Sequence, residues 1–238
     1  MNKIEFEKGL EEMGIEFGAS HYDDFDIYRR LLVEWNEHMN LTGITEKREV
    51  YIKHFLDSVG TYLSSEVPNG GSVIDVGTGA GFPGLAMKIF DRSIDLTLLD
   101  SLNKRIKFLQ AVSDEIGLDH VEFIHGRAED YGKDEDYREV YDVAVSRAVA
   151  NLAVLAEYCM PFVKVGGHFI ALKSMSYKDE LNQAQKAIET LGGKVKKVVV
   201  VPLPEVDIEH TLIVIEKISN TPTKYPRKAG KPTKNPIV

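Results

Sequence analysis

Asp75, Gly77, Gly79 and Gly81 stand at every second position, and Pro83-Gly84 follows at once. The acid sits inside a short apolar run, Val73-Ile74-Asp75-Val76. This pattern predicts a buried strand, a tight loop whose backbone approaches a ligand, and a helix with Pro83 in its first turn. Glycine suits the loop because a Cβ would block the ligand and because such turns need φ > 0. A carboxylate at the strand end would repel a pyrophosphate but suits a cationic amino group. S-Adenosyl-L-methionine carries such an ammonium, together with a sulfonium methyl, a ribose and an adenine.

A second register competes with the first. Gly79-Ala80-Gly81-Phe82-Pro83-Gly84 matches G-x-G-x-x-G, with Asp100 about 20 residues on, the dinucleotide pattern of an NAD(P)-dependent oxidoreductase. That pattern places its first glycine at the strand end, and here the strand-end glycine is Gly77. The methyl donor is therefore the expected cofactor, with Gly77, Gly79 and Gly81 as its loop. Asp100 closes the next apolar run, Leu96-Thr97-Leu98-Leu99, where a carboxylate can accept both ribose hydroxyls. Ala128 and Glu129 follow a third run, residues 121–125, on the side that would face the adenine. Ligands of open α/β sheets lie at the carboxyl ends of the strands, where all three features fall.

The elements that must hold these residues alternate. Strands are predicted at 72–76, 95–100, 121–125, 141–146, 166–172, 195–201 and 211–218, and helices at 83–90, 102–116, 149–160 and 177–191. Alternation calls for a parallel sheet covered on both faces. The segment Pro202-Leu203-Pro204-Glu205-Val206-Asp207 leaves no room for a crossover helix, so the last two strands should pair antiparallel. The expected class is α/β: a Rossmann-like seven-stranded sheet with a terminal antiparallel pair, as in class I S-adenosylmethionine-dependent methyltransferases. Residues 1–66 form an N-terminal helical segment, 67–219 the cofactor-binding domain, and 220–238 a basic Pro-rich tail. In the helical segment Tyr28, Leu31, Leu32, Trp35 and Met39 recur at helical spacing, which makes Trp35 a packing residue.

The net charge of −8 hides an asymmetry. From Lys217 onward there are six cations (Lys217, Lys224, Arg227, Lys228, Lys231, Lys234) and no acid, while the other 216 residues carry 23 basic and 37 acidic groups. A basic tail on an acidic body points to a polyanion held locally, or else to a solubilising extension. Four of the nine prolines lie in this tail, predicting an extended segment. The single Cys159 excludes an internal disulfide and a Cys-rich metal site, and it falls in an apolar helical stretch. No apolar run of 18 residues and no apolar signal region is present, so a cytoplasmic protein with no membrane, metal or disulfide-linked partner is expected.

Several motifs extend this reading. Asn40-Leu41-Thr42, His54-x-x-Asp57-Ser58, the loop 75–84 and Leu99-Asp100-Ser101-x-x-Lys104-Arg105 come in order. Arg127-Ala128-Glu129, Ser146-Arg147-Ala148-Val149-Ala150 and Tyr225-Pro226-Arg227-Lys228-x-Gly230-x-Pro232 follow them. Over nearly its whole length the chain resembles the bacterial small-subunit ribosomal RNA guanine-N7 methyltransferases, the glucose-inhibited division protein B family. The resemblance implies cofactor contacts at Gly77, Phe82, Ala128, Glu129 and Arg147, with Asp100 and Ser101 near the ribose. On the RNA side it implies Asn40, His54, Asp57, Ser58, Lys173 and Arg227, with 16S ribosomal RNA or the small ribosomal subunit as partner. One departure is visible: Ser174 follows Lys173 where the family has glycine.

The chemistry implied is a transfer without a general base, because guanine N7 has an in-plane lone pair and no proton to lose. The residues agree. No Asn/Asp-Pro-Pro-aromatic run follows the fourth strand, as exocyclic-amine methyltransferases have, and no cysteine pair is present for attack through a pyrimidine carbon. Arg147 is then the expected catalytic residue, in an orienting role. A non-catalytic RNA-binding protein that senses S-adenosylmethionine is the third reading. His54 and Asp57, three apart on a helix, could hydrogen-bond to each other as a structural pair or face RNA.

Overall fold

A computed structural model describes residues 1–18, 21–147, 150–174, 177–206 and 210–237. Ala148 and Val149, which belong to one of the motifs above, and Asp207 of the last connection lie outside them. Seven strands form one sheet: β1 (Ser72–Val76), β2 (Asp95–Asp100), β3 (Val121–His125), β4 (Tyr141–Arg147), β5 (Val163–Ser174), β6 (Gly193–Val201) and β7 (His210–Lys217). Their order is β3-β2-β1-β4-β5-β7-β6. The first five run parallel, and β7 is antiparallel to both β5 and β6. The expected antiparallel pair is present, but β7 inserts between β5 and β6, so β6 is the edge. The strand residue Ser174, beyond Lys173, pairs in register with His210.

Seven strands with apolar residues pointing both ways need cover on both faces, because each face exposes its own set of side chains. On one face Val73, Leu96, Leu98 and Val145 join Phe25, Tyr28, Leu32, Phe55, Leu85 and Phe108 in a single core. Those partners come from α2 (Tyr22–Met39), α5 (Gly84–Phe90), α6 (Asn103–Ile116) and a composite helical stretch over residues 47–64. On the other face Ile74, Val76, Leu99 and Ala171 pack with α8 (Leu152–Cys159), α9 (Tyr177–Thr190) and Tyr225 of the tail. The first helix of the chain, α1 (Lys3–Glu12), opens on a reciprocal cap in which Asn2 and Glu5 satisfy each other's backbone amides. Trp35 is half-buried, its ring 5.7 Å from that of Phe108, as the helical spacing foretold.

The composite stretch starts as α3 (Lys47–Val50), widens into a π-helical turn (Tyr51–Leu56), returns as α4 (Asp57–Val59) and tightens into a 3-10 turn (Gly60–Ser64). A π turn spreads the hydrogen-bond ladder, which can leave carbonyls for other donors and often marks functional positions. Here it carries Lys53 and His54. The tail is not the extended appendage that its prolines suggest. It contains a short helix, α10 (Lys231–Lys234), and its backbone is pinned by Arg138, which donates to the carbonyls of Tyr225 at 2.9 Å and Thr221 at 2.7 Å. Lys217 is wholly buried, donating to the Met160 and Val163 carbonyls and paired with Glu139 at 3.0 Å. Among the described residues no helix is long and apolar enough to cross a membrane.

Candidate functional site

The glycine loop closes over its own strands. Gly77 N–H and Thr78 N–H both donate to the Leu99 carbonyl, at 2.8 and 3.1 Å, and Gly79 N–H donates to Asp100 Oδ2 at 2.9 Å. Gly84 N–H donates to Asp75 Oδ2 at 2.8 Å, and Pro83 has no N–H to offer. A pyrophosphate site needs free amides at the loop and at the helix N-terminus. These amides are already taken, so the dinucleotide reading loses its physical basis.

Asp75 is not presented to a ligand, contrary to the electrostatic reading of the sequence. It is fully buried beneath the loop, where Oδ2 also accepts from Thr78 Oγ1 at 2.7 Å while Oδ1 has no partner. Burial raises its carboxyl to about 6, against the opposing pull of those hydrogen bonds. Gly81 is packed against its surroundings and is not among the residues lining either cavity at the loop. With φ +94°, its missing Cβ would collide with the Tyr28 hydroxyl and lie 2.7 Å from Leu109 Cδ2. At Gly79, with φ +61°, an added Cβ would meet no side chain and would only touch the Gly77 carbonyl at 4.0 Å, so its glycine is required by conformation. Tyr28 donates to the Ala80 carbonyl from below, linking the helical stripe to the loop.

Two adjoining cavities lie over the carboxyl ends of β1, β2 and β3. The first, of about 340 Å³, is lined by Gly77, Asp100 and Ser101, by Ala128 and Glu129 at the start of α7 (Ala128–Tyr131), and by Tyr158, Gly230 and Thr233. The second, of about 440 Å³, shares Gly77, Asp100 and Ser101 and adds Thr42, His54, Thr78, Gly79, Phe82, Arg105 and Arg147. The pair forms a trough with a mainly apolar end and a polar end. That matches a long ligand with a flat ring at one end and charged groups at the other. Neither Gly230 nor Thr233 was legible as a wall residue, because what brings the tail there is tertiary: Glu129 accepts from Gly230 N–H at 3.1 Å, and the Tyr158 and Thr233 hydroxyls meet at 3.1 Å.

Arg147 stands at the polar end, held from several sides. Nη1 donates to Asp57 Oδ2 at 2.8 Å and to the Lys53 carbonyl at 3.1 Å, and Nη2 lies 3.2 Å from His54 Nδ1. The side chains of His54 and Asp57 are thus bridged by arginine, while the Asp57 backbone N–H donates to the His54 carbonyl. The His54 ring stacks on Phe82 at 4.5 Å, and the Arg147 guanidinium lies over the same ring at 5.0 Å. Burial, then the Arg147 charge, holds the His54 imidazole down to about 4, which leaves it neutral at pH 7. Its Nε2 lies 2.9 Å from the Thr42 hydroxyl. Asp57 also meets His210 Nδ1 at 2.6 Å, a partner that no spacing in the sequence announces. Burial pushes the Asp57 carboxyl up, but the His210 bond and the Arg147 charge outweigh it and keep it below the usual range.

The RNA-side expectations divide. Asp57 and Ser58 are fully buried, and Ser58 Oγ donates to the His54 carbonyl at 2.6 Å, so neither side chain faces a macromolecule. Arg227 is engaged with buried Glu157 through Nε at 2.9 Å and Nη2 at 2.6 Å, which anchors the tail. Asn40 is exposed and ends α2 in the left-handed region with φ 50°. Lys173 is paired with Glu180 at 2.7 Å and lines a third cavity next to Arg147 and His54. Of the six tail cations, Lys224, Lys228, Lys231 and Lys234 remain exposed.

Comparison with solved structures supports the fold. The chain superposes on TYW2 of M. jannaschii, a complex with AdoMet, with TM-score 0.52 at 14% identity over 68% of this chain and 77% of that one. TrmN of Thermus thermophilus gives 0.52 at 15% identity, over 71% and 53%. Closer relatives are proteins named ribosomal RNA small subunit methyltransferase G. That of Alkaliphilus metalliredigens is 53% identical over 99% of both chains, and that of Brevibacillus brevis 50% over 100% of both. Residues 21–208, which run from the helical stripe through the loop to the antiparallel connection, match the GidB family model, rRNA small subunit methyltransferase G. A class I trough with loop amides closed to pyrophosphate, an arginine at its polar end and full-length kinship together place this chain in the GidB family of S-adenosylmethionine-dependent rRNA methyltransferases.

Proposed function

We propose that the protein transfers the methyl group of S-adenosyl-L-methionine to N7 of a guanine in the 16S RNA of the small ribosomal subunit, in the cytoplasm. The observation that carries this reading is the trough whose two ends share Gly77, Asp100 and Ser101. The bound cofactor supplies an electrophilic methyl on a sulfonium. The chain's own residues bind, orient and shield. Glu129, Ala128 and Tyr158 flank the apolar end, which suits adenine, while Asp100 and Ser101 sit at the junction, where ribose hydroxyls need acceptors. Gly77 and Gly79 let the backbone approach the amino-acid end.

Arg147 would orient the reacting base, because a guanidinium suits the O6 acceptor that neighbours N7. Asp57 and the Lys53 carbonyl fix that guanidinium in advance, so little order is lost when the base arrives. Neutral His54 beside it adds no competing charge and takes no proton, consistent with N7 having none to give. Alignment of this kind contributes up to ~7–11 kcal/mol. N7 lies in the deep groove of an A-form duplex, so a looped or splayed guanine is the accessible target.

Incubating the protein with tritiated cofactor and small-subunit RNA from a strain lacking the enzyme, then mapping the label, tests this. Label at N7 of one guanine is expected. Label elsewhere, or a rise in melting temperature with NADH and none with S-adenosylmethionine, would overturn the reading.

A further inference from the structure

Arg147 and His54 are walls of two cavities at once. On the far side from the glycine loop lies a third cavity of about 470 Å³, lined by Ile44, Leu172, Leu203 and Val206 and by the polar groups Lys53, Lys173, Glu180 and His210. Its size falls in the range of small-ligand pockets, roughly 300–1,000 Å³. Its position matters more than its size, because it adjoins the polar end of the trough at Arg147 and His54. Two ligands that react with each other need adjoining sites of this kind, so that the reacting atoms can meet directly.

The lining has the chemistry of a base receptor. Leu172 lies two residues before the end of β5, in register with Arg147 on β4, and Leu203, Val206 and Ile44 supply further apolar surface for a flat ring. Glu180 is the one carboxylate among the described lining residues. It is fixed in place by Lys173 Nζ at 2.7 Å and by the Leu152 N–H at 3.1 Å, both on Oε2. Lys173 is itself tied to the Ala150 carbonyl at 2.7 Å. The Glu180 side chain still keeps 33% of its surface exposed. A carboxylate held this firmly beside a cavity is a pre-organised acceptor. Enzymes that act on a nucleotide extrude it and read its Watson–Crick edge inside such a pocket.

We infer that this third cavity receives the extruded target base and that Glu180 selects guanine by accepting its N1–H and N2–H groups, while Arg147 faces O6 and leaves the N7 lone pair free for the methyl carbon. This rests on the methyl-transfer reading above. Adenine presents an unprotonated N1 to the same carboxylate and is rejected by repulsion between lone pairs.

The test uses the full-length protein and two substrate RNAs that differ only at the labelled position, guanosine in one and inosine in the other. Inosine keeps N7, O6 and N1–H but lacks the N2 amino group. The wild-type protein is expected to favour guanosine by roughly tenfold in kcat/KM. Glu180→Gln keeps an acceptor for Leu152 yet places an amide N–H against the base donors, so the ratio should fall to within twofold. An unchanged ratio in Glu180→Gln would overturn the assignment, since a purely structural role lowers both substrates together. Loss of cofactor binding by the variant in calorimetry would overturn it too. A wild-type protein that labels neither RNA fails the parent reading instead.

Discussion

Arg147 Nη1 lies 2.8 Å from Asp57 Oδ2, joining the end of β4 to the helical stretch 90 residues earlier in the chain. This contact clamps the N-terminal helices to the sheet at the place where the trough and the third cavity meet. Asp57 is wholly buried, so the pair cannot be weighed like a surface ion pair. Removing one partner leaves a charge without full compensation.

Arg147→Ala is therefore expected to cost about 3 kcal/mol in urea denaturation, the low end for a broken buried pair because the Arg147 side chain keeps 16% exposure. Methyl transfer should fall on the order of 10²-fold. Adding Asp57→Asn removes the stranded charge, so the double variant should be more stable than Arg147→Ala while remaining inactive. Near-normal turnover in either would take Arg147 out of the site.

The buried ionisable groups give the stability curve two opposed slopes. His54 is depressed to about 4 from 6.5, so its contribution is complete above pH 6.5 and is lost as the pH falls toward 4, where the unfolded chain takes up the proton first. Asp75 is raised to about 6 from 3.8, so its contribution is present below pH 3.8 and is lost as the pH rises through 6. Melting temperature measured from pH 4 to 8 should accordingly show His54→Asn flattening the acid limb. Asp75→Asn should steepen the rise in stability between pH 4 and 6, because the opposing Asp75 slope over the same window is gone. A variant whose profile parallels the wild type would show its residue to be uncoupled from folding.

Two neighbouring glycines should fail in different ways. Gly81→Ala drives a methyl toward Tyr28 and Leu109 at a positive φ, which costs about 2–4 kcal/mol from overpacking plus backbone strain. Gly79→Ala meets no side chain and should cost only the left-handed penalty of about 1–2 kcal/mol. Its main effect should be weaker S-adenosylmethionine binding by calorimetry. Equal loss of cofactor affinity per unit of lost stability in both variants would erase the distinction.

The tail should act on both ligands. Replacing Lys224, Lys228, Lys231 and Lys234 by serine should lower the salt slope of RNA binding by roughly 3, at ~0.7 per phosphate contact on a single strand. Arg227→Ala instead strands buried Glu157 and should loosen Gly230 from Glu129, weakening cofactor binding as well as stability. An unchanged slope for the lysine variant would leave the tail as a structural strap alone.

Local rules settled much of this protein before any coordinates. Period-2 apolar runs, the spacing between them and a connection too short for a crossover determined seven strands and the sense of the last pair. Alternating glycines after an apolar strand determined where the loop would bend, and the apolar stripe of α2 determined what would support it. These are legible because each depends on neighbours within a few residues. Side-chain partners far apart in the chain are not. Asp57 finds His210 across 153 positions, and Arg227 finds Glu157 across 70. A charge in the sequence reads the same whether it faces solvent, a ligand or a buried counter-ion. Only the packed structure decides which, because burial makes a partner obligatory and the fold alone determines who stands within reach.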